Sequence, residues 1–274
     1  MPVLTLLISI VLLFSGLFAW SVPRSSVALG AGGSGVASIE PGESSFMNPA
    51  TLVHLKNRHL FSTLQKDLTA ISITENSPTT AFPGALTYWK DTREQEESQV
   101  FGLSFSDYIY ERISFGLILN YWQVELPPTF EKRRSSAFNA TAGLAWSLNT
   151  HFGVGASFEN VVDRAEKFQD VESMGPRSRI GLNYLYQEWL RARFDFVTNR
   201  DNDWERMTPH WGFETYAGKF VVIRFGWNKP HGLRESWSAG FGLDLPRFRV
   251  DYASIWNEEG SKETRHSIDF GVPF

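Results

Sequence analysis

The strongest constraint in this 274-residue chain is a period of two in its apolar residues. Leu190, Ala192, Phe194 and Phe196 alternate with Arg191, Arg193, Asp195 and Val197. Phe248, Val250, Tyr252, Ser254 and Trp256 interleave with Arg247, Arg249 and Asp251. Ile268, Phe270, Val272 and Phe274 interleave with Ser267, Asp269 and Gly271. Further runs of this kind fill the chain from about residue 98 onward, each about ten residues long, and a strand rather than a helix gives that spacing one apolar face. The alternation leaves two folds open. In a soluble sandwich the apolar face is the core. In a membrane barrel it meets lipid, and the polar face lines the lumen.

Three signals favour the barrel. Long polar connections near 91–98, 125–134, 162–176, 199–207, 228–234 and 257–263 alternate with tight ones at Asp107–Glu111, Leu148-Asn149, Gln187-Glu188, Ala217-Gly218 and Leu245-Pro246, as in an up-and-down barrel with loops at one end and turns at the other. Trp89, Trp122, Trp227, Trp237 and Trp256 abut the long connections, while Trp146, Trp189, Tyr108, Tyr110, Tyr186 and Phe274 lie by the tight ones. Such rings at both strand ends predict aromatic girdles at two membrane interfaces. The chain also stops at Phe274, in phase with the apolar face. A terminal strand ending in Phe resembles the signal read by the bacterial barrel-assembly machinery.

Composition agrees. A mean hydropathy of −0.22 excludes a bundle of membrane helices, yet 15% of residues are aromatic. Zero Cys excludes a disulfide framework, a Cys zinc site and a thiol nucleophile. A net charge of −4 argues against nucleic acid as a partner. The expected fold is an all-β, transmembrane, antiparallel up-and-down barrel in the bacterial outer membrane, in contact with its lipid. Spans at 57–65, 68–75, 82–90, 99–106, 112–124, 135–147, 150–161, 177–186, 189–198, 208–217, 219–228, 235–245, 247–256 and 264–274 make about fourteen strands. A count of twelve stays open because the first three alternate least clearly.

Residues 1–21 form an apolar, uncharged run read as a signal peptide cleaved after Ser21, with a retained anchor as the alternative. Residues 22–56 precede the strands as a plug, and 57–274 form the barrel. Gly30-x-Gly32-x-x-Gly35 matches a dinucleotide fingerprint, but no strand precedes it and no helical period follows. The segment with Gly30, Gly32, Gly33 and Gly35 is better read as closely packed backbone, and Asn48-Pro49 as a turn.

By parity the lumen receives Arg191, Arg193, Asp195, Arg247, Arg249, Asp251, Arg265 and Asp269, together with Arg112, Glu159, Arg179, Glu214, Arg224 and Asp244. The mixed signs suit a network that ties walls to a plug better than a selectivity ring. Glu40 and Glu43 carry no special expectation. No His/Asp/Glu set supports a metal, and no cofactor is expected.

Gly30-Ala31-Gly32-Gly33-Ser34-Gly35-Val36-Ala37, followed by Phe46-Met47-Asn48-Pro49-Ala50, resembles the N-terminal hatch of the FadL/TodX and PorV/PorQ outer-membrane superfamily. The resemblance implies a fourteen-stranded barrel with residues 22–56 folded inside it. It implies a plugged channel for a small hydrophobic molecule, or an accessory barrel for a secreted or surface protein. The longest outer connection, 160–176, is short for a fatty-acid capture loop. A third reading is a lipid hydrolase with Ser254 and His266 on the barrel exterior. No Ser/His/acid spacing supports it, and no catalytic residue is assigned.

Overall fold

A computed structural model describes residues 22–92, 97–125, 134–162, 176–187, 189–198, 203–231, 235–257 and 264–274. Fourteen strands run in order: β1 (Asn57–Gln65), β2 (Leu68–Asn76), β3 (Gly84–Asp91), β4 (Glu97–Tyr110), β5 (Ile113–Glu125), β6 (Arg134–Ser147), β7 (Phe152–Glu159), β8 (Arg177–Tyr186), β9 (Leu190–Val197), β10 (Thr208–Ala217), β11 (Val221–Asn228), β12 (Ser236–Leu245), β13 (Phe248–Asn257) and β14 (Arg265–Pro273). Each pairs antiparallel with its neighbours in sequence, and β14 returns to β1 through a register from His59↔Pro273 to Gln65↔Ser267. The barrel is closed, so no strand edge remains to be covered.

The even count puts both ends of the barrel chain on one side, the side of the tight turns. The first three strands alternate like the rest once register is seen. Leu60, Leu64, Ile71 and Ile73 face outward and are exposed, whereas Phe61, Thr63, Ser72 and Thr74 are buried inside. The loop rhythm breaks only at the start. β1 and β2 join through Lys66-Asp67 at the outer end, and 77–83 form the longer link at the other end. β4 runs on to Tyr110 across a bulge, beyond the turn expected at Asp107–Glu111. Most of the long outer connections fall outside the described residues.

The outward positions carry an uninterrupted apolar belt. Phe101, Phe138, Phe194, Phe225 and Phe270 are among its exposed side chains. A soluble protein does not present such a surface, so the chain is a transmembrane barrel. At the outer rim Trp211, Trp227, Trp237 and Trp256 sit side by side in register on β10 to β13. Trp146, Trp189, Tyr186 and Phe274 are exposed at the other rim. Two expected girdle members are not in it. Trp89 and Trp122 point into the lumen and are 2% exposed. Each follows a tyrosine, and parity places Tyr88 and Tyr121 outside with the tryptophans inside.

Residues 22–56 fill the interior as a hatch. It contains helix α1 (Ser26–Gly30), helix α2 (Pro41–Phe46) and a 3₁₀ turn at Pro49–His54. Ser25 caps α1 by accepting the Ala28 N–H at 3.0 Å. Asn48 caps the 3₁₀ turn by accepting the Ala50 N–H at 3.1 Å, with Pro49 at its first position. These elements are too short to hold together alone, so the walls hold them.

The walls receive the hatch on glycine. Inward-facing Gly116 lies against the Pro49 backbone, Gly143 against Asn48, Gly155 against Val36, and Gly212 and Gly226 against Ala31 and Gly32. A Cβ at any of these wall positions would overlap hatch atoms, backbone at four of them and the Asn48 and Pro49 side chains at Gly143. On the hatch side, Gly32 and Gly33 adopt φ of 69° and 83°, which other residues rarely tolerate. We expect Gly226→Leu to fold as a barrel with a dislodged hatch. Heat-modifiable gel mobility should persist while limited proteolysis cuts within 22–56; an equally protected hatch would refute the packing argument.

Candidate functional site

The site is the lumen where hatch and wall meet. Its first element is a set of backbone anchors. Asp195 accepts the Gly35 and Val36 N–H groups at 2.7 and 3.0 Å. Asp269 accepts the Ser26 N–H at 2.6 Å and the Ser26 hydroxyl at 2.8 Å. His210 on β10 donates from Nδ1 to the Gly32 carbonyl at 2.6 Å. The Asn48 amide donates to Val36 O at 2.7 Å and to Leu144 O of β6 at 3.0 Å. Ser114 on β5 donates to Ala50 O at 2.7 Å. The Asn-Pro-Ala motif is thus where the returning hatch is pinned to β5 and β6.

The second element is a buried ion cluster. Arg193 and Arg224 are at most 1% exposed, as is Glu214, which lies within 3.4 Å of Arg193 and 2.5 Å of Arg224. Arg191 reaches Glu214 at 3.0 Å. Asp251 takes Arg224 and Arg249, each at 2.7 Å. The walls therefore bring four guanidinium groups to two carboxylates. Glu40 of the hatch completes the set, 2.7 Å from Arg191 and 2.6 Å from Arg249. A second buried pair, Arg179–Glu159 at 2.7 Å, lies nearer the outer end.

The third element is apolar. Phe46, at the end of α2, enters a chamber walled by Phe61, Leu68, Ala70, Trp89, Val100 and Trp122 from β1 to β5. Trp89 and Trp122 meet edge to face at 5.4 Å, and Phe46 meets Trp89 edge to face at 5.8 Å. Below it lies a cavity of about 350 Å³ at the tight-turn end, lined by Val27, Ile39, Glu40, Glu43, Leu55 and Phe61 among others. Phe61 borders both chamber and cavity.

Of the positions singled out by alternation, Arg191, Arg193, Asp195, Arg249, Asp251 and Asp269 point inward and meet the hatch or the ion cluster. Arg247 does not line the lumen; it is exposed in the turn between β12 and β13, where parity has no meaning. Arg265 faces inward but is exposed at the outer mouth, one residue into β14. Gly30, Gly32, Gly33, Gly35, Phe46, Asn48, Pro49 and Ala50 all lie within the lumen. Alternation misses Glu40 and Phe46's chamber. Glu40 has no strand to give it parity. The doublets Tyr88-Trp89 and Tyr121-Trp122 were the available signal, because adjacent residues on a strand cannot share a face.

Ser254 and His266 are outward neighbours in the β13–β14 register. The His266 Nδ1 is engaged with the Tyr252 hydroxyl at 2.7 Å, and the two rings stack. Among the described residues no acid is hydrogen-bonded to either, and none form a group of metal-binding side chains.

The two hatch carboxyls respond oppositely to burial. Burial alone would raise Glu40, but Arg249 and Arg191 outweigh it and hold the carboxyl at about 2. Burial raises Glu43, and attraction by Arg193 offsets only part of this. Glu43 keeps one hydrogen bond, from the Ser25 hydroxyl. Glu40 therefore stabilises the seated hatch above pH about 4.5, its ordinary value, and that contribution fades as pH falls toward about 2. Glu43 works the other way: its contribution is lost as pH rises through its elevated value. At pH 7 we expect Glu40→Gln to loosen the hatch by about 3 kcal/mol, in the range for removing one partner of a buried ion pair. Glu43→Gln should leave it seated or tighten it. Protease protection of residues 22–56 in urea measures both, and equal loss in the two variants would contradict the assignment.

No protein-family model and no curated protein matches the sequence. Solved structures do match the fold. The chain is similar to the CymD monoaromatic hydrocarbon channel, with a TM-score of 0.65 and 15% identity over 91% of this chain and 97% of that one. It is similar to the Ralstonia pickettii toluene transporter TbuX, with a TM-score of 0.67 and 11% identity over 92% and 98%. It is also similar to a Pseudomonas aeruginosa FadL homologue, with a TM-score of 0.64 and 10% identity over 92% and 99%. At these identities the likeness is one of architecture, the closed fourteen-strand barrel.

Proposed function

We propose that this chain is a bacterial outer-membrane channel for small hydrophobic solutes, gated by its hatch. The observation that carries the reading is the apolar chamber of Phe61, Leu68, Ala70, Trp89, Val100 and Trp122, set in a lumen that carries buried charge on its β9–β13 side. A barrel interior that served only structure would have no reason to gather two tryptophans away from lipid. The chamber lies at the outer end and the cavity at the tight-turn end, with the hatch between them. The named fold relatives include a monoaromatic hydrocarbon channel and a toluene transporter, which supports the same solute class. The resemblance to accessory barrels of protein secretion gains no support from the structures named above.

Passage then requires movement of the hatch, since its backbone lies directly on the wall. The moving part would be the stretch from Glu40 to Phe46, between the anchors at Gly35-Val36 and at Asn48. The ion cluster sets the resistance to that motion. Uptake of labelled toluene into vesicles with a lipopolysaccharide outer leaflet tests this reading. The protein should raise the initial rate above that of protein-free vesicles, and Glu40→Gln should raise it further, by several-fold. A charged solute such as glutamate should gain nothing from the wild-type chain. Toluene rates equal to those of empty vesicles for both proteins would overturn the proposal.

A further inference from the structure

We infer that Phe46 is a built-in occupant of a binding site for one aromatic ring, so that the hatch holds its own channel shut by ligand mimicry. This rests on the channel reading above and names the ligand class and the residue that competes with it. The wall contributes the box: Phe61 from β1, Trp89 from β3 and Trp122 from β5. The hatch contributes the ring inside it. Phe46 is 2% exposed, and its centroid lies 5.8 Å from Trp89 at 85° and 6.3 Å from Phe61 at 55°. These are the edge-on contacts a free benzene ring would seek.

Two further observations separate an occupant from ordinary packing. The rest of the hatch is fixed to the wall largely by polar contacts, through backbone atoms and the Ser26, Glu40 and Asn48 side chains, whereas Phe46 enters the box as an apolar ring. Its removal would vacate a ring-sized, apolar space, and such spaces in proteins stay dry and accept benzene. The Trp89 indole N–H is also buried with no hydrogen-bond partner among the described residues. That donor stands available to the face or the substituent of a ring. Phe61 leads from the box to the cavity below, so a ring that displaced Phe46 would stand at the head of a path toward the tight-turn end.

Toluene titration of the full-length, detergent-solubilised protein, followed by calorimetry, tests the inference. Phe46→Ala should bind toluene roughly tenfold or more tightly than wild type, because the competent, vacated state no longer has to be populated first. The gain should vanish in Phe46→Ala/Trp89→Ala. Wild type and variants share the same micelle background, which cancels in the comparison. Heat-modifiable mobility reports whether Phe46→Ala has folded. If it has not, Phe46→Leu takes its place, with a smaller gain expected. A folded variant that binds toluene no better than wild type overturns the inference. The vesicle flux of the same proteins separates the two ideas. Flux without a binding gain discards the occupant and keeps the channel, whereas a binding gain without flux keeps the occupant and discards the channel.

Discussion

The structure depends on one unequal charge balance. The walls of β9, β11 and β13 put Arg191, Arg193, Arg224 and Arg249 into a space that water barely reaches, and they supply Glu214 and Asp251 against them. Left so, the lumen would hold a surplus of buried positive charge, which is costly in a low-dielectric interior. The hatch answers with a single carboxylate. Glu40 bridges Arg191 and Arg249, on strands that are not neighbours in the barrel. Seating the hatch therefore also removes half of the wall's surplus positive charge. The remaining contacts, from Asp195 and Asp269 to hatch N–H groups, set the position of a segment whose presence the charges already require.

That arrangement divides the lumen by chemistry. The β9–β13 arc is ionic and grips the hatch. The β1–β5 arc is aromatic where it receives Phe46 and holds the Pro49–Ala50 turn at β5. A solute without charge finds nothing to exchange with the first arc and a suitable surface in the second. The same hatch that is held on one side by ion pairs blocks on the other side by an apolar ring, so grip and blockage can be altered separately.

The architecture was legible because alternation over fourteen strands leaves little freedom: a shift of one residue would expose every charged side chain to lipid. Strand limits such as 57–65, 177–186 and 208–217 coincide with the spans read from the sequence. Legibility ended where parity ended. Arg247 was misplaced because a turn has no face. Trp89 and Trp122 stand near long loops, which points to the rim, but Tyr88 and Tyr121 take the outward positions and turn them inward. Glu40 was passed over because nothing local marks it; its role is made by strands about 150 to 210 residues away in the chain. The hatch glycines were visible as a cluster, but the wall glycines that receive them were hidden among ordinary strand positions.

The register of β1 with β14 has a kinetic consequence. The barrel closes only when the last strand synthesised meets the first, from His59↔Pro273 to Gln65↔Ser267. The hatch precedes β1 in the chain, yet its partners include Asp195, His210, Arg249 and Asp269. A segment that precedes the barrel in the chain therefore waits for partners that follow it by up to about 240 residues. Its contacts have among the longest sequence separations in the molecule, and such contacts form late because loop closure must come before them. Until then the glycine tracks of the wall stand empty, and Arg191 and Arg249 lack their Glu40 partner. The docking of residues 22–56 against Asp195, His210, Arg249 and Asp269 therefore depends on the pairing of β9 to β14 that brings those partners together.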